Sequence, residues 1–121
     1  MIKRILVALD PGEDTHVATR YAIWLAKKFD ASLTGLAVVD TSNIYFNVGG
    51  GEIDALHYAR GLWEELSEET RDVAWKLLND FRERVEAEGI RHTAIQREGA
   101  SYERIIEGTK YHDLLVLGRD S

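Results

Sequence analysis

The sequence has no cysteine and only one proline in 121 residues. Without thiols there is no disulfide, no Cys-ligated zinc, no iron–sulfur cluster and no thiol nucleophile. Positive charge is scarce: 15 Lys and Arg against 21 Asp and Glu leave a net −6. That balance argues against a nucleic-acid backbone as partner. Long hydrophobic runs are also missing. The start, MIKRILVALD, carries two basic residues, but its apolar stretch stops at Asp10 with no small-residue cleavage site. No membrane association and a cytoplasmic location are therefore expected. What the chain does have is 45% apolar and 30% charged residues, the balance of a folded domain. Its length predicts a single domain over 1–121.

Two patterns alternate along the chain. Ile5 to Leu9 is a short apolar run closed by Asp10, Pro11 and Gly12, which suits a strand buried on both faces. Ala18, Tyr21, Ala22, Leu25, Ala26 and Phe29 then recur at helical spacing, with Asp14 or Thr15 as the expected cap. Residues 32–39 are a second apolar run, closed by Asp40, and 41–54 read as a loop with a triple glycine. A long helix is predicted from about Ala55 to Glu88, on the spacing of Trp63, Leu66, Thr70, Val73, Leu77, Phe81 and Val85. Gly89 is its expected C-cap. Residues 90–97 form a more polar strand suited to a sheet edge. A short helix from about Tyr102 to Thr109, capped by Ser101, and the run LLVLG at 114–118 complete the series.

Strands alternating with helices predict an α/β fold with a mostly parallel sheet. Placing the two most apolar strands side by side gives the order 3-2-1-4. Right-handed crossovers then put the first two helices on one face and the third on the other. The chain reverses direction at the first strand, which creates a switch point between strands 1 and 4, the usual ligand crevice. Asp10, Pro11 and Gly12 lie at one lip and Gly118 to Ser121 at the other.

The motifs narrow the chemistry. Asp10 could accept hydrogen bonds from ribose hydroxyls or hold a metal; equally, it could cap the turn that follows it. A phosphoacceptor receiver would need paired acids after strand 1, an Asp after strand 3 and a Lys after a fifth strand. Asp10 is single, and strand 3 runs into Arg97, Glu98 and Gly99. Neither GxxxxGK[ST] nor GxGxxG occurs. Gly49 to Gly51 is not set between a strand and a helix, so a plain loop is expected there. His16, His57, His92 and His112 lack metal-ligand spacing. Ser101 has no His or Asp at a suggestive spacing, and Trp63 and Trp75 are expected to pack on the long helix. No acid–base pair stands out, so no enzyme, no catalytic residue and no metal are expected.

The order and register of these pieces resemble a known family. ILVALD-PGEDTHVATRYAIWLAKKFDASLTGLAVVD, a long second helix and then DLLVLG look like the universal stress protein family, from Ile5 to Gly118. The resemblance implies a Rossmann-like sheet of the adenine nucleotide alpha hydrolase type in the order 3-2-1-4-5. It also implies ATP at the switch point and dimerisation through the fifth strand. By that resemblance Asp10, with Pro11 and Gly12 behind it, matches the family's Asp near ribose and adenine. Val38 matches the position whose backbone reads adenine, and Leu117 and Gly118 match the start of the phosphate loop.

The chain also departs from the family pattern. The ATP-binding subgroup continues with G-x-x-G, nine further residues and Gly-Ser or Gly-Thr. Here Arg119, Asp120 and Ser121 follow Gly118, so the fourth helix and fifth strand have no counterpart. Asp120 adds negative charge where a triphosphate would lie. The expectation is a non-enzymatic stress-response regulatory or interaction module with at most weak binding of ATP or another adenine nucleotide. The alternative is an ATP-binding, nucleotide-dependent switch. Strand 4 becomes an edge, so self-association or docking with a second universal-stress-type domain is expected there.

Overall fold

The computed structural model describes residues 1–12, 14–40 and 53–118. Seven elements follow one another: β1 (Arg4–Leu9), α1 (Asp14–Phe29), β2 (Ser32–Val39), α2 (Ile53–Ala87), β3 (His92–Glu98), α3 (Ser101–Thr109) and β4 (Leu114–Leu117). The four strands form one sheet in the order β3-β2-β1-β4, all parallel. This is the expected order, with the polar strand β3 at one edge and β4 at the other. The expected loop at 41–54 ends two residues early, because Ile53 and Asp54 already belong to α2. The triple glycine at 49–51 lies outside the described residues.

The register sorts side chains onto two faces. Ile5 pairs with Leu33 and Leu9 with Ala37, while Val7 pairs with Val116. These residues build the main core with Ala18, Ala22 and Ala26 of α1 and Leu78, Phe81 and Val85 of α2. Leu6, Ala8 and Leu36 point to the opposite face, where a Cβ on Gly108 of α3 would lie 2.8 Å from Leu6 Cδ2. Thus α1 and α2 cover one face and α3 the other, as right-handed crossovers require.

Two helix stripes differ from their sequence spacing. In α1 the buried residues are Thr15, Ala18, Thr19, Ala22 and Ala26, while Tyr21 and Phe29 are 56% and 37% exposed. Small residues let α1 sit close to the sheet, so the bulky aromatics fall on its flanks. In α2 the buried stripe is Ala74, Leu78, Phe81 and Val85, and Trp75 is 60% exposed. Trp75 therefore does not pack as its helix position suggested; the Trp63 side chain lies outside the described residues.

Helix ends explain the turns. Gly89 has φ +69°; its N–H donates to Glu86 O at 3.0 Å, and Ile90 N–H donates to Val85 O at 3.3 Å. This is a Schellman ending, with glycine at the left-handed position. Helix α1 ends the same way on Asp30, whose φ is +52°, with Ala31 N–H donating to Ala26 O at 2.9 Å.

Candidate functional site

Asp10 leaves the carboxyl end of β1 and makes a tight turn. Its Oδ1 accepts from Gly12 N–H at 2.8 Å, an Asx turn. Thr15, on the first turn of α1, closes the structure from the other side. Its Oγ1 accepts from Asp10 N–H at 2.9 Å and donates to Asp10 O at 2.6 Å, with Asp10 Oδ1 at 3.4 Å. Thr15 is therefore no helix cap: it is buried and fastens the strand end to α1. The turn-forming reading of Asp10 holds in the structure.

Asp40 does the corresponding work at the end of β2. Its Oδ2 accepts from Ser101 N–H at 3.2 Å and from Ser101 Oγ at 3.0 Å. The N-cap position of α3 is Ala100, with no side-chain cap, so Ser101 is not the cap its sequence context suggested. The cap is a carboxylate 61 residues earlier in the chain, brought in because parallel β2 and β3 end side by side. Gly99 N–H donates to Val39 O at 3.1 Å and fixes the same junction.

Between these two carboxylates lies a cleft of about 310 Å3, at the small end of ligand sites. Ala8, Leu9, Asp10 and Pro11 form one wall, and Leu36, Val38 and Asp40 of the β2 end form the floor. Thr70, Val73, Ala74 and Leu77 of α2 close one side, and Ser101 and Ile105 of α3 the other. This explains why Val73 is exposed and Leu77 only half-buried: this part of α2 lines the cleft. Its polar protons are largely engaged, since Thr70 Oγ1 donates to Leu66 O at 2.8 Å and the Ser101 donors go to Asp40.

The structure brings Asp10, Pro11 and Val38 together in this cleft. Gly12 stands behind, held by the Asp10 carboxylate. Leu117 and Gly118 do not line it: Leu117 pairs with Ala8 on the neighbouring strand and is 46% exposed. The cleft thus lies over β1 and β2, one strand away from the β1–β4 switch point. Residues 119–121 lie outside the described residues.

Two described cations beside lining residues, Arg71 and Arg104, are engaged elsewhere. Arg71, next to Thr70, donates from Nε to Glu98 Oε1 at 2.7 Å. That hydrogen bond holds the Glu98 carboxyl below its usual range. Arg104 donates to Glu98 O at 3.0 Å and pairs with Glu107 at 2.8 Å. Three of the histidines are dispersed: His16 lies 3.3 Å from Asp80, His92 meets the Phe81 ring edge-on, and His112 bridges Gly108 O and Thr34 Oγ1; the His57 side chain lies outside the described residues. Among the described residues no three metal-ligating side chains cluster.

Comparison with known proteins decides the family. The universal stress protein family model matches residues 1–121. The chain belongs to the universal stress protein family. It is 29% identical over 120 residues to a universal stress protein of Methanocaldococcus jannaschii, covering 98% of this chain and 65% of that protein. The chain thus spans less than two-thirds of that relative's length.

Solved structures agree with the fold. A universal stress protein family member from Burkholderia pseudomallei is 26% identical with a TM-score of 0.64, covering 97% of this chain and 81% of its own. A universal stress protein family protein from Arabidopsis thaliana, solved with AMP bound, has a TM-score of 0.63 at 15% identity, covering 96% and 75%. The Rossmann-like α/β sheet is therefore that of the universal stress proteins. Among the described residues no helix is long and apolar enough to cross a membrane.

Proposed function

We propose that this universal stress protein domain is a cytoplasmic, non-enzymatic regulatory module whose cleft over β1 and β2 takes an adenine nucleotide or nucleoside weakly. The observation that carries this reading is the placement of Asp10 beside Val38 in an apolar cleft, at the carboxyl ends of the strands, the end of an open α/β sheet on which ligands bind, although one strand away from the switch point. The AMP in the Arabidopsis relative supports an adenine ligand. Apolar walls suit a base, and a carboxylate suits ribose hydroxyls. Isothermal titration with ATP and Mg²⁺ tests it. Binding should be no tighter than about −6 kcal/mol, a tens-of-micromolar Kd, and ATP turnover should be far below the enzyme median of about 10 s⁻¹. Submicromolar ATP binding would favour the alternative, a nucleotide-dependent switch.

The reading extends to partners. Strand β4 pairs with β1 on one side, and among the described residues no strand pairs with its other edge. Unpaired edge strands recruit further strands, so self-association or docking of a second universal-stress-type domain belongs at β4. Sedimentation equilibrium at micromolar concentration tests this, and a strict monomer would count against it.

A further inference from the structure

We propose that the aromatic stripe on the outer side of α1 is one half of a two-fold dimer interface whose other half is the edge of β4, the partner being a second copy of this chain; the proposal rests on the reading of β4 as the docking edge. Val17, Tyr21, Trp24 and Phe29 are 53%, 56%, 53% and 37% exposed. Residues 17, 21, 24 and 28 are spaced four, three and four apart, which lines them up along one side of a helix. The rings are ordered before any partner arrives. Tyr21 and Trp24 lie 5.7 Å apart, and Lys28 Nζ lies 5.0 Å from the Trp24 ring centre and 5.9 Å from that of Phe29. Side chains that are already in place lose little freedom on association.

The stripe and the edge of β4 lie on the same side of the molecule. His16 and Lys27 mark the flank of α1 that meets α2, at Asp80 and Glu88, and α2 packs over β2 and β3. The stripe faces away from that flank, towards β4, while α1 itself rests on β1 and its neighbours β2 and β4. Pairing β4 antiparallel with a second β4 creates a two-fold axis normal to the sheet and sets both α1 helices on one face. With strands about 4.8 Å apart, the two β1 strands and the helices above them stand about 14 Å apart. Helices with ordinary side chains pack at about 8–10 Å, so rings the size of Tyr21 and Trp24 are what spans that gap. Three aromatic side chains and a valine, each about half free, offer roughly 300–400 Å2 per copy, where a standard interface takes about 800 Å2 per partner. The stripe alone is too small for a stable dimer, and the edge of β4 beside it supplies the rest. The exposed carboxylates Glu64, Glu65, Glu68, Glu69 and Asp72 are on α2, so two chains of net −6 meet away from that acidic run.

The test is sedimentation equilibrium of the full chain at micromolar concentration, with Tyr21→Glu and Trp24→Glu as variants and Trp75→Glu on α2 as the control. The wild type should be a dimer. Each α1 variant should weaken it at least about tenfold with an unchanged circular dichroism spectrum, and the control should move it by less than about twofold. Amides of Leu114 to Leu117 should gain protection from hydrogen exchange as concentration rises. Because the chain has no cysteine, Tyr21→Cys places one thiol on each copy. A short bis-maleimide should then link the copies, and Trp75→Cys should stay unlinked, which reads the same geometry should the glutamate variants fold poorly. A dimer that both α1 variants leave intact would overturn the role of the stripe while leaving β4 as the docking edge. A dimer whose β4 amides gain no protection would overturn the joint interface. Species that grow beyond a dimer with concentration would overturn the two-fold arrangement. A strict monomer would overturn this proposal together with the reading of β4.

Discussion

Phe81 occupies the space that a side chain at position 35 would need. A Cβ built on Gly35 would lie 2.6 Å from Phe81 Cδ1, and Phe81 is fully buried against the sheet. Helix α2 can approach β2 this closely because position 35 has no side chain. Gly35→Ala should therefore destabilise the fold by about 1–3 kcal/mol, the usual cost of overpacking, read from the urea midpoint. Combining it with Phe81→Leu should recover part of that loss, since contacting sites couple. Strict additivity of the two changes would contradict this packing.

Asp113 holds the opposite end of the sheet from the cleft. Its Oδ2 accepts from Lys3 N–H at 2.8 Å and from Arg4 N–H at 3.1 Å, and these bonds, that from Lys3 first, keep its carboxyl below its ordinary range. A depressed folded-state pKa gives stability that is present above the unfolded value of about 3.9 and is lost as pH falls through the folded one. Asp113→Asn should thus be less stable than wild type at neutral pH, with the difference shrinking below about pH 4. A difference that stays constant from pH 7 to the acid limit would show that the charge is irrelevant.

Asp30 sits at φ +52° where α1 ends. Left-handed backbone costs an L-residue about 1 kcal/mol or more, and glycine escapes that cost. Asp30→Gly should raise stability by roughly 0.5–1 kcal/mol, seen as a higher thermal midpoint. A lower midpoint would mean that the carboxyl group contributes more than the strain removes.

Trp75 looks like a core residue by type and lies on a long amphipathic helix, yet it is 60% exposed. Trp75→Gln should change stability by less than about 0.5 kcal/mol, whereas Phe81→Ala should cost about 3–5 kcal/mol. Its indole fluorescence should be quenched readily by acrylamide in the folded state. Protection from quencher would show that something covers this side of α2.

Much of this was legible in the chain because strand and helix periods are local. The apolar runs ending at Leu9 and Val39 marked central strands, and Gly89 marked a helix end. Asp10 was visible as a turn former after a buried strand. Asp40 closes its own strand in the same way, and that repeated pattern was the available signal for its importance. Its partner was not legible: the Asp40–Ser101 bond spans 61 residues, and the Asp113–Lys3 bond spans 110.

The sequence by itself determined the element order, the parallel sheet and the strand order 3-2-1-4, since hydrophobic periodicity and crossover handedness act on every segment separately. The tertiary structure decided which helical residues are core and where the cleft lies. Alanines in α1 let it settle close to the sheet and turned Tyr21 and Trp24 outward. Helix α2 carries Thr70, Val73 and Leu77 over the ends of β1 and β2, and so moved the cleft one strand away from the switch point. These outcomes depend on how closely two elements approach, and that distance is set by side chains on both, far apart in the chain.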